Sequence, residues 1–599
     1  MKRKDVQKED TWDLTKFFKT KEEYNSLYKE TLKDLDKLVS YKGKICKDAN
    51  TLYDFLELND KISLNIELIY VYSYLYHYSD TTDSEGKLLR DKADKLNDTI
   101  SEKTSFVDSE LLSTPYDTIK KFIKEKKELK KYAFYLEKAY RYQKHTLSEA
   151  EERIISLANI ALGTPDNAFS ALDNADCKFD KVIVDGKELE LNHSNYIKYM
   201  TSQDRDLRKQ VFDKYYDFYI NHKNTIAEMY KGQIKEDLFI SKVRKFNSPL
   251  EMSLYSDDID VSVYKNLIKT LHDNMKPMYD YMKLRKEYMN LDELHMYDIY
   301  ADMVKGSSKT FTFDEAKNCV LEAVKPLGDK YVSDLSKAFT NRWIDRYPND
   351  GKRSGAYQWG SFGVDPYVSL NFEGTEDSVS TLAHELGHAM HSYYSDNKQN
   401  HVDAQYPIFL AEIASTVNEV LLNEYFINNA KDDNEKLLYI TSFLDKFRAT
   451  VYRQTMFAEF EMIAHDMEQN GEALTEESLS NVYYDLNKLY YGKDVVSDDA
   501  IRYEWSRIPH FYTSFYVYKY ATGFCAALAI ASDILGNVPG AKDRYLEFLS
   551  SGGSNYPLNT LKKCNVDMES SEPILKGIKM FEDKINQARK IIEGEKDGK

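Results

Sequence analysis

Two histidines four residues apart, His384 and His388, enclose a glutamate and a glycine in the run Ser380-Thr381-Leu382-Ala383-His384-Glu385-Leu386-Gly387-His388-Ala389-Met390-His391. On an α-helix, residues four apart stand one turn above each other on the same face. Two imidazoles so placed can bind one zinc ion at about 2.0–2.1 Å each. Glu385, beside the first of them, can then reach a zinc-bound water and take its proton. Leu382, Ala383, Leu386, Ala389 and Met390 predict that the helix is buried. Gly387 lowers helix propensity by about 1 kcal/mol against alanine, a cost that makes sense where another element must approach the backbone closely.

A catalytic zinc takes three protein ligands and leaves one position open. A third histidine at the metzincin spacing would fall on residue 394, which is Tyr394, so that arrangement is excluded. His391, three residues past His388, can share its face. A better candidate lies in Tyr406-Pro407-Ile408-Phe409-Leu410-Ala411-Glu412-Ile413-Ala414-Ser415-Thr416-Val417-Asn418-Glu419. Pro407 predicts a helix start. A carboxylate in an apolar helix is costly unless it is paired or bound to a metal. Glu412 and Glu419 are two helical turns apart and point the same way. Glu412 would complete a two-His, one-Glu site, and Glu419 would accept the ring N–H of a ligand histidine. Without a metal, the two would form a solvated acidic face.

The blocks His384-Glu385-Leu386-Gly387-His388-Ala389-Met390-His391-Ser392 and Ala411-Glu412-Ile413-Ala414-Ser415-Thr416-Val417-Asn418-Glu419 closely resemble the M3 family of zinc oligopeptidases, and the oligoendopeptidase F branch within it. The resemblance extends over most of the chain and includes His145-Thr146-Leu147-Ser148-Glu149-Ala150-Glu151-Glu152. It implies that Glu412 is the third zinc ligand. It also implies a fold: mostly α, one large helical ellipsoid with a deep substrate channel between two halves and a small β element beside the zinc helix.

Two further segments carry family-like residues. Gly351 to Gly360 reads as a glycine-rich loop, and Pro366-Tyr367-Val368-Ser369-Leu370-Asn371-Phe372 as a short β run. A strand edge near a zinc helix can hold an extended peptide by main-chain hydrogen bonds, and the resemblance implies that use. The second segment, Ile508 to Gly523, holds one histidine and several tyrosines. A peptidase needs donors where negative charge develops on oxygen, and a tyrosine O–H or histidine N–H can serve. The resemblance assigns this work to His510 and to tyrosines near it. Tyr516 and Tyr520 share a face if the segment is helical; Tyr518 is their rival.

The 599-residue chain has only 12 Pro and 23 Gly while 30% of it is charged, which predicts long helices with few turns. Amphipathic spacing recurs from Leu111-Leu112 through Leu136 and from Tyr439 through Met462. A β-hairpin is predicted around Asp185-Gly186, and it marks a boundary between an N-terminal helical region, 1–195, and a catalytic zinc peptidase domain, 196–599. No run of about 20 apolar residues predicts a transmembrane helix, and the basic N-terminus lacks the apolar core of a secretory signal. Five scattered cysteines without a Cys-x-x-Cys pair fit free thiols in a cytoplasmic protein. A formal net charge of −17 argues against nucleic acid or anionic membrane as a partner.

The function expected is that of a cytoplasmic zinc metalloendopeptidase acting on short oligopeptides, with one Zn²⁺ per chain on His384, His388 and Glu412. Glu385 would be the general base, with His510, Tyr516 and Tyr520 as transition-state donors. The alternative is a non-catalytic helical binding protein in which a fourth protein ligand, His391 or Glu419, closes a structural zinc site.

Overall fold

The structure is a computed structural model and describes residues 1–304 and 309–597. Its architecture is mostly α; among the described residues, β structure is limited to seven strands of two or three residues each. The chain forms two compact units from alternating segments. The first comprises Met1–Thr146, Lys309–Tyr425 and Ile530–Val566; the second comprises Leu147–Ser308, Phe426–Ala529 and Asp567–Lys599.

Three long helices, Lys21–Val39, Ala49–Ser79 and Ser84–Thr104, open the first unit. Thr20, Asp48 and Asp83 cap them by accepting from the backbone N–H of Glu23, Thr51 and Gly86. Such caps satisfy N–H groups that no helical carbonyl can reach. The amphipathic run beginning at Leu111 is broken into helices Val107–Ser113, Tyr116–Glu125 and Ala133–Arg141, with a 3₁₀ turn over Lys127–Tyr132. Pro115 ends the first of these, since proline cannot extend a helix through its own nitrogen. Leu111, Ile119, Leu129 and Leu136 still enter one core with Leu52, Phe55 and Leu56 of the long helix.

The same unit holds a three-stranded sheet. Tyr367–Ser369 is its centre, parallel to Ile344–Asp345 and antiparallel to Tyr357–Trp359. Tyr357 pairs with Ser369 and Trp359 with Tyr367, so 357–359 is an edge strand. Tyr70, Tyr74 and Tyr78, spaced one helical turn apart on Ala49–Ser79, meet this edge: Trp359 lies 6.1 Å from Tyr70 and 5.9 Å from Tyr74, and Tyr357 lies 6.0 Å from Tyr78. Tyr367 is buried with Trp12, Phe17 and Leu75.

In the second unit the 39-residue helix Arg205–Val243 is the spine, packed against Arg453–Gln469, Glu476–Tyr491 and the 3₁₀ run Asp499–Arg507. The stretch of amphipathic spacing from Tyr439 to Met462 lies in Asp433–Phe447 and Arg453–Gln469, joined by a π-turn over Arg448–Tyr452. The predicted hairpin is present: Val182–Val184 pairs with Lys187–Leu189. Its two-residue turn has positive φ at Asp185 (51°) and Gly186 (74°), the geometry of a type I′ turn. Among the described residues no helix is long and apolar enough to cross a membrane.

Candidate metal centre

The motif helix, Glu376–Lys398, is capped by Thr375, whose hydroxyl accepts from Ser378 N–H. Leu382, Ala383, Leu386, Ala389 and Met390 are fully buried. The remaining face presents His384, Glu385 and His388 to a cavity of about 730 Å³ lined also by the edge strand, Tyr406 and Glu412. A second helix, Ile408–Asn428, starts directly after Pro407, whose carbonyl accepts from Leu410 and Ala411 N–H. The two helices approach most closely at Gly387, where a Cβ would lie 2.6 Å from Ser415 Cα and 2.7 Å from the Ala414 carbonyl oxygen. This is the close backbone approach that a mid-helix glycine predicts. Buried Asn418 fixes the register: its Nδ2 donates to the Ala383 carbonyl at 3.2 Å, and its Oδ1 accepts from Tyr331 OH at 3.1 Å.

Three ligand atoms converge in the cavity. His384 Nε2 and His388 Nε2 are 3.1 Å apart, and Glu412 Oε2 lies 3.8 Å from the first and 3.9 Å from the second. The centre of that triangle is about 2.1 Å from every corner, the distance zinc keeps from imidazole nitrogen and carboxylate oxygen. His384 Nδ1 donates to Glu419 Oε1 at 3.0 Å. That bond puts the proton on Nδ1 and leaves the Nε2 lone pair facing the other two ligands.

Electrostatics agree with a cation site. Burial pulls the His384 pKa down, but the Glu419 hydrogen bond and the charges of Glu419, Glu385 and Glu412 outweigh it, and the net shift is upward. Burial, then the His384 charge, drive His388 down to about 3. Glu385, Glu412 and Glu419 thus crowd around two imidazoles, an acidic surrounding that a divalent cation would offset. The donor set, two nitrogens and one oxygen, is one zinc favours. His391, three residues on, faces away. It is fully buried and stacked on Tyr406 at 3.5 Å between ring centres.

Glu385 stands beside this cluster but outside it. It is 6% exposed, and its Oε2 has no hydrogen-bond partner. Burial pushes its pKa up to about 7; the His384 charge opposes this, Glu412 and Glu419 add to it, and a backbone hydrogen bond from Gln358 on the edge strand opposes it. The edge strand thus comes up to the centre, with Gln358 and Glu385 on the wall of the same cavity.

The profile of Peptidase family M3 matches residues 198–580, and that of an Oligopeptidase F segment matches 110–179. Oligopeptidase PepF of Bacillus subtilis is 42% identical over 98% of this chain and 88% of its own length. Group B oligopeptidase PepB of Streptococcus agalactiae is 36% identical over 98% of both. The crystal structure of oligoendopeptidase-F from Enterococcus faecium superposes with a TM-score of 0.74 at 33% identity, over 96% of this chain and 99% of that one. This chain belongs to peptidase family M3.

In this M3 chain the predicted donors lie in the second unit. The segment is not a continuous helix: Pro509–Tyr512 is a 3₁₀ turn, Phe515 has φ +61°, and the helix Tyr518–Leu535 begins only at Tyr518. Tyr516 and Tyr520 nevertheless come together, ring centres 5.4 Å apart, because the left-handed turn at Phe515 folds Tyr516 back. Buried Glu461 holds that turn by accepting Phe515 N–H at 3.0 Å. His510 Nε2 is 3.3 Å from Tyr520 OH, and its ring centre is 6.4 Å from that of Tyr516. Burial, then the Arg453 charge, hold His510 below the usual histidine range. Tyr518 is fully buried against Tyr264.

Sequence reasoning missed Gln358 as a partner of Glu385, and it missed Ser392 and Asp396 on the cavity wall. Ser392 and Asp396 were discoverable. They follow His388 at four and eight residues, continuing the row that the two histidines begin. Gln358 was not, because its contact is made by the main chain.

Proposed function

We propose that this chain is a zinc metalloendopeptidase that hydrolyses peptide bonds in short oligopeptides. The observation that carries this reading is three convergent ligand atoms beside one buried carboxylate, all on the wall of one cavity. His384, His388 and Glu412 hold one Zn²⁺ per chain. When bound, zinc polarises a carbonyl oxygen and acidifies water. Glu385 accepts the proton of the attacking water and delivers it to the leaving amine. Burial raises its pKa from the ordinary carboxylate value, the direction that lets a carboxylate hold a proton it has accepted. Glu419 keeps His384 in the tautomer that ligation needs. The edge strand Tyr357–Trp359 offers free main-chain groups to an extended peptide.

His510, Tyr516 and Tyr520 donate hydrogen bonds to the oxygen that gains charge in the transition state. Their grouping around one another and the family resemblance support this role. The relatives named as oligopeptidases support short peptides as substrates.

A closed structural zinc site in a binding protein is the other reading. It needs a fourth ligand, and both residues offered for that place are engaged elsewhere: His391 on Tyr406, Glu419 on His384 Nδ1. Turnover of an internally quenched peptide decides between the two. The expected result is cleavage that chelation abolishes and added zinc restores, with about one zinc per chain by elemental analysis. Stoichiometric zinc without cleavage of any peptide in a mixed pool would favour the binding protein.

A further inference from the structure

The row on the motif helix does not stop at the ligands. His384, His388, Ser392 and Asp396 are each four residues apart and all line the same cavity. At 1.5 Å per residue, Asp396 lies about 12 Å along the helix from His388. Its part-buried carboxylate makes no hydrogen bond or ion pair with any described residue. Glu67, from the helix Ala49–Ser79, lines this end of the cavity too. One of its oxygens accepts Phe362 N–H at 3.0 Å and the other is 3.0 Å from His401 Nε2. His401 Nδ1 is 2.6 Å from Asp60. Asp60 and Glu67 thus hold the His401 ring between them, and Asp396, which feels the charges of Glu67 and His401, is the carboxylate left without a partner.

A second observation comes from the loop after the edge strand. Ser361 lines the same cavity and is 2% exposed, and its Oγ has no hydrogen-bond partner. The next residue, Phe362, is the one that binds Glu67. A buried hydroxyl without a partner is costly, as is a carboxylate withdrawn from water. Both are acceptors. An ammonium or guanidinium carries donors only, and the ring of Tyr70 on the same wall can add a cation–π contact.

We propose that the end of the cavity formed by Asp396, Glu67 and Ser361 is a subsite for a cationic group of the bound peptide, either a lysine or arginine side chain or the free α-ammonium. This rests on the peptidase reading above. Burial first, then the Glu67 charge, push the Asp396 pKa up to about 7 against the opposing charge of His401, and a bound cation offsets both causes. An extended peptide advances about 3.3 Å per residue. The 12 Å span then corresponds to an α-ammonium about three to four residues from the scissile bond, and to a basic side chain closer in.

The test uses the zinc-loaded full-length protein and a set of quenched peptides with one scissile bond. Lysine is placed in turn at each position within four residues of that bond, with norleucine peptides as neutral counterparts, and every peptide is made with a free and an acetylated N-terminus. The expected result is a kcat/KM at least ten-fold higher for lysine over norleucine at one position, or for the free over the acetylated terminus. Which ratio is large identifies the cation's source. Asp396→Asn should collapse that ratio toward one, and Ser361→Ala should lower it; zinc content and thermal unfolding report that each variant is folded. Ratios near one in the wild-type protein, or a ratio unchanged in both variants, overturn the subsite. Failure of the wild-type protein to cleave any peptide overturns the peptidase reading and the subsite with it.

Discussion

Glu385, Glu412 and Glu419 share one small volume, but their surroundings differ. Glu412 points its Oε2 at both histidine Nε2 atoms, Glu419 takes the His384 Nδ1 proton, and Glu385 keeps a free oxygen in the cavity. Substitution should separate them. Glu385→Gln keeps the shape and removes proton acceptance, so zinc stays near one per chain while kcat falls by about 10²–10⁴-fold or more. Glu412→Ala should lose the metal. Glu419→Ala should cost about 10–100-fold in metal affinity or activity. Elemental analysis and steady-state kinetics on the three proteins check the ranking; full turnover by Glu385→Gln would remove it from the mechanism. The convergence of His384, His388 and Glu412 was legible in part because helical periodicity turns a spacing of four into one face. The tyrosines were legible only as a group. Tyr516 meets Tyr520 through a positive φ at Phe515 that a buried glutamate 54 residues away stabilises, and no local spacing records that.

At the level of elements, the centre depends on how closely two helices pass. Gly387→Ala places a methyl group against Ser415 Cα and the Ala414 carbonyl, both backbone atoms that cannot rotate away. Alanine gains about 1 kcal/mol of helix propensity, but overpacking of this kind costs about 1–3 kcal/mol or more, and moving the second helix carries Glu412 with it. The variant should melt at lower temperature and bind zinc more weakly, as thermal unfolding and metal titration would show. A second link is ionic. His401 sits between Asp60 and Glu67 of the long N-terminal helix, with Asp396 nearby. Burial lowers its pKa, but the hydrogen bonds to those two carboxylates outweigh this and raise it to about 9. A raised histidine pKa gives stability that is complete below about pH 6.5 and lost as pH rises through about 9. Denaturant unfolding across that window should show a decline that His401→Gln lacks. The sequence announced the motif helix and the start after Pro407, because apolar periodicity and proline are local signals. It did not announce the pairing of His401 with residues 341 and 334 positions earlier, since long-range partners leave no periodic trace.

At the level of the whole chain, the proposed metal site is built entirely within the first unit, and that unit is assembled from three separated stretches of sequence. The mostly α class was readable from few prolines and many charges. The threading of each unit through non-adjacent segments was not, since composition is blind to which helices pair. This arrangement has a thermodynamic consequence. Zinc that binds only the folded site stabilises by RT ln(1 + [L]/Kd), about 4 kcal/mol at a thousand-fold excess over Kd. The ligands come from the motif helix and the helix after Pro407, so the increment enters the unit that those helices hold together. Amide hydrogen exchange, followed by mass spectrometry on the chelated and zinc-loaded protein, reads this directly. Zinc should slow exchange in Glu376–Lys398 and in the Ile408 to Tyr425 part of the second helix, with a smaller effect on the edge strand that lines the same cavity. The spine helix Arg205–Val243, in the other unit, should exchange at the same rate with and without metal. Equal slowing in both would mean that the two units open as one cooperative body. No slowing in the motif helix would mean that zinc binds elsewhere, and the ligand assignment would fall with it.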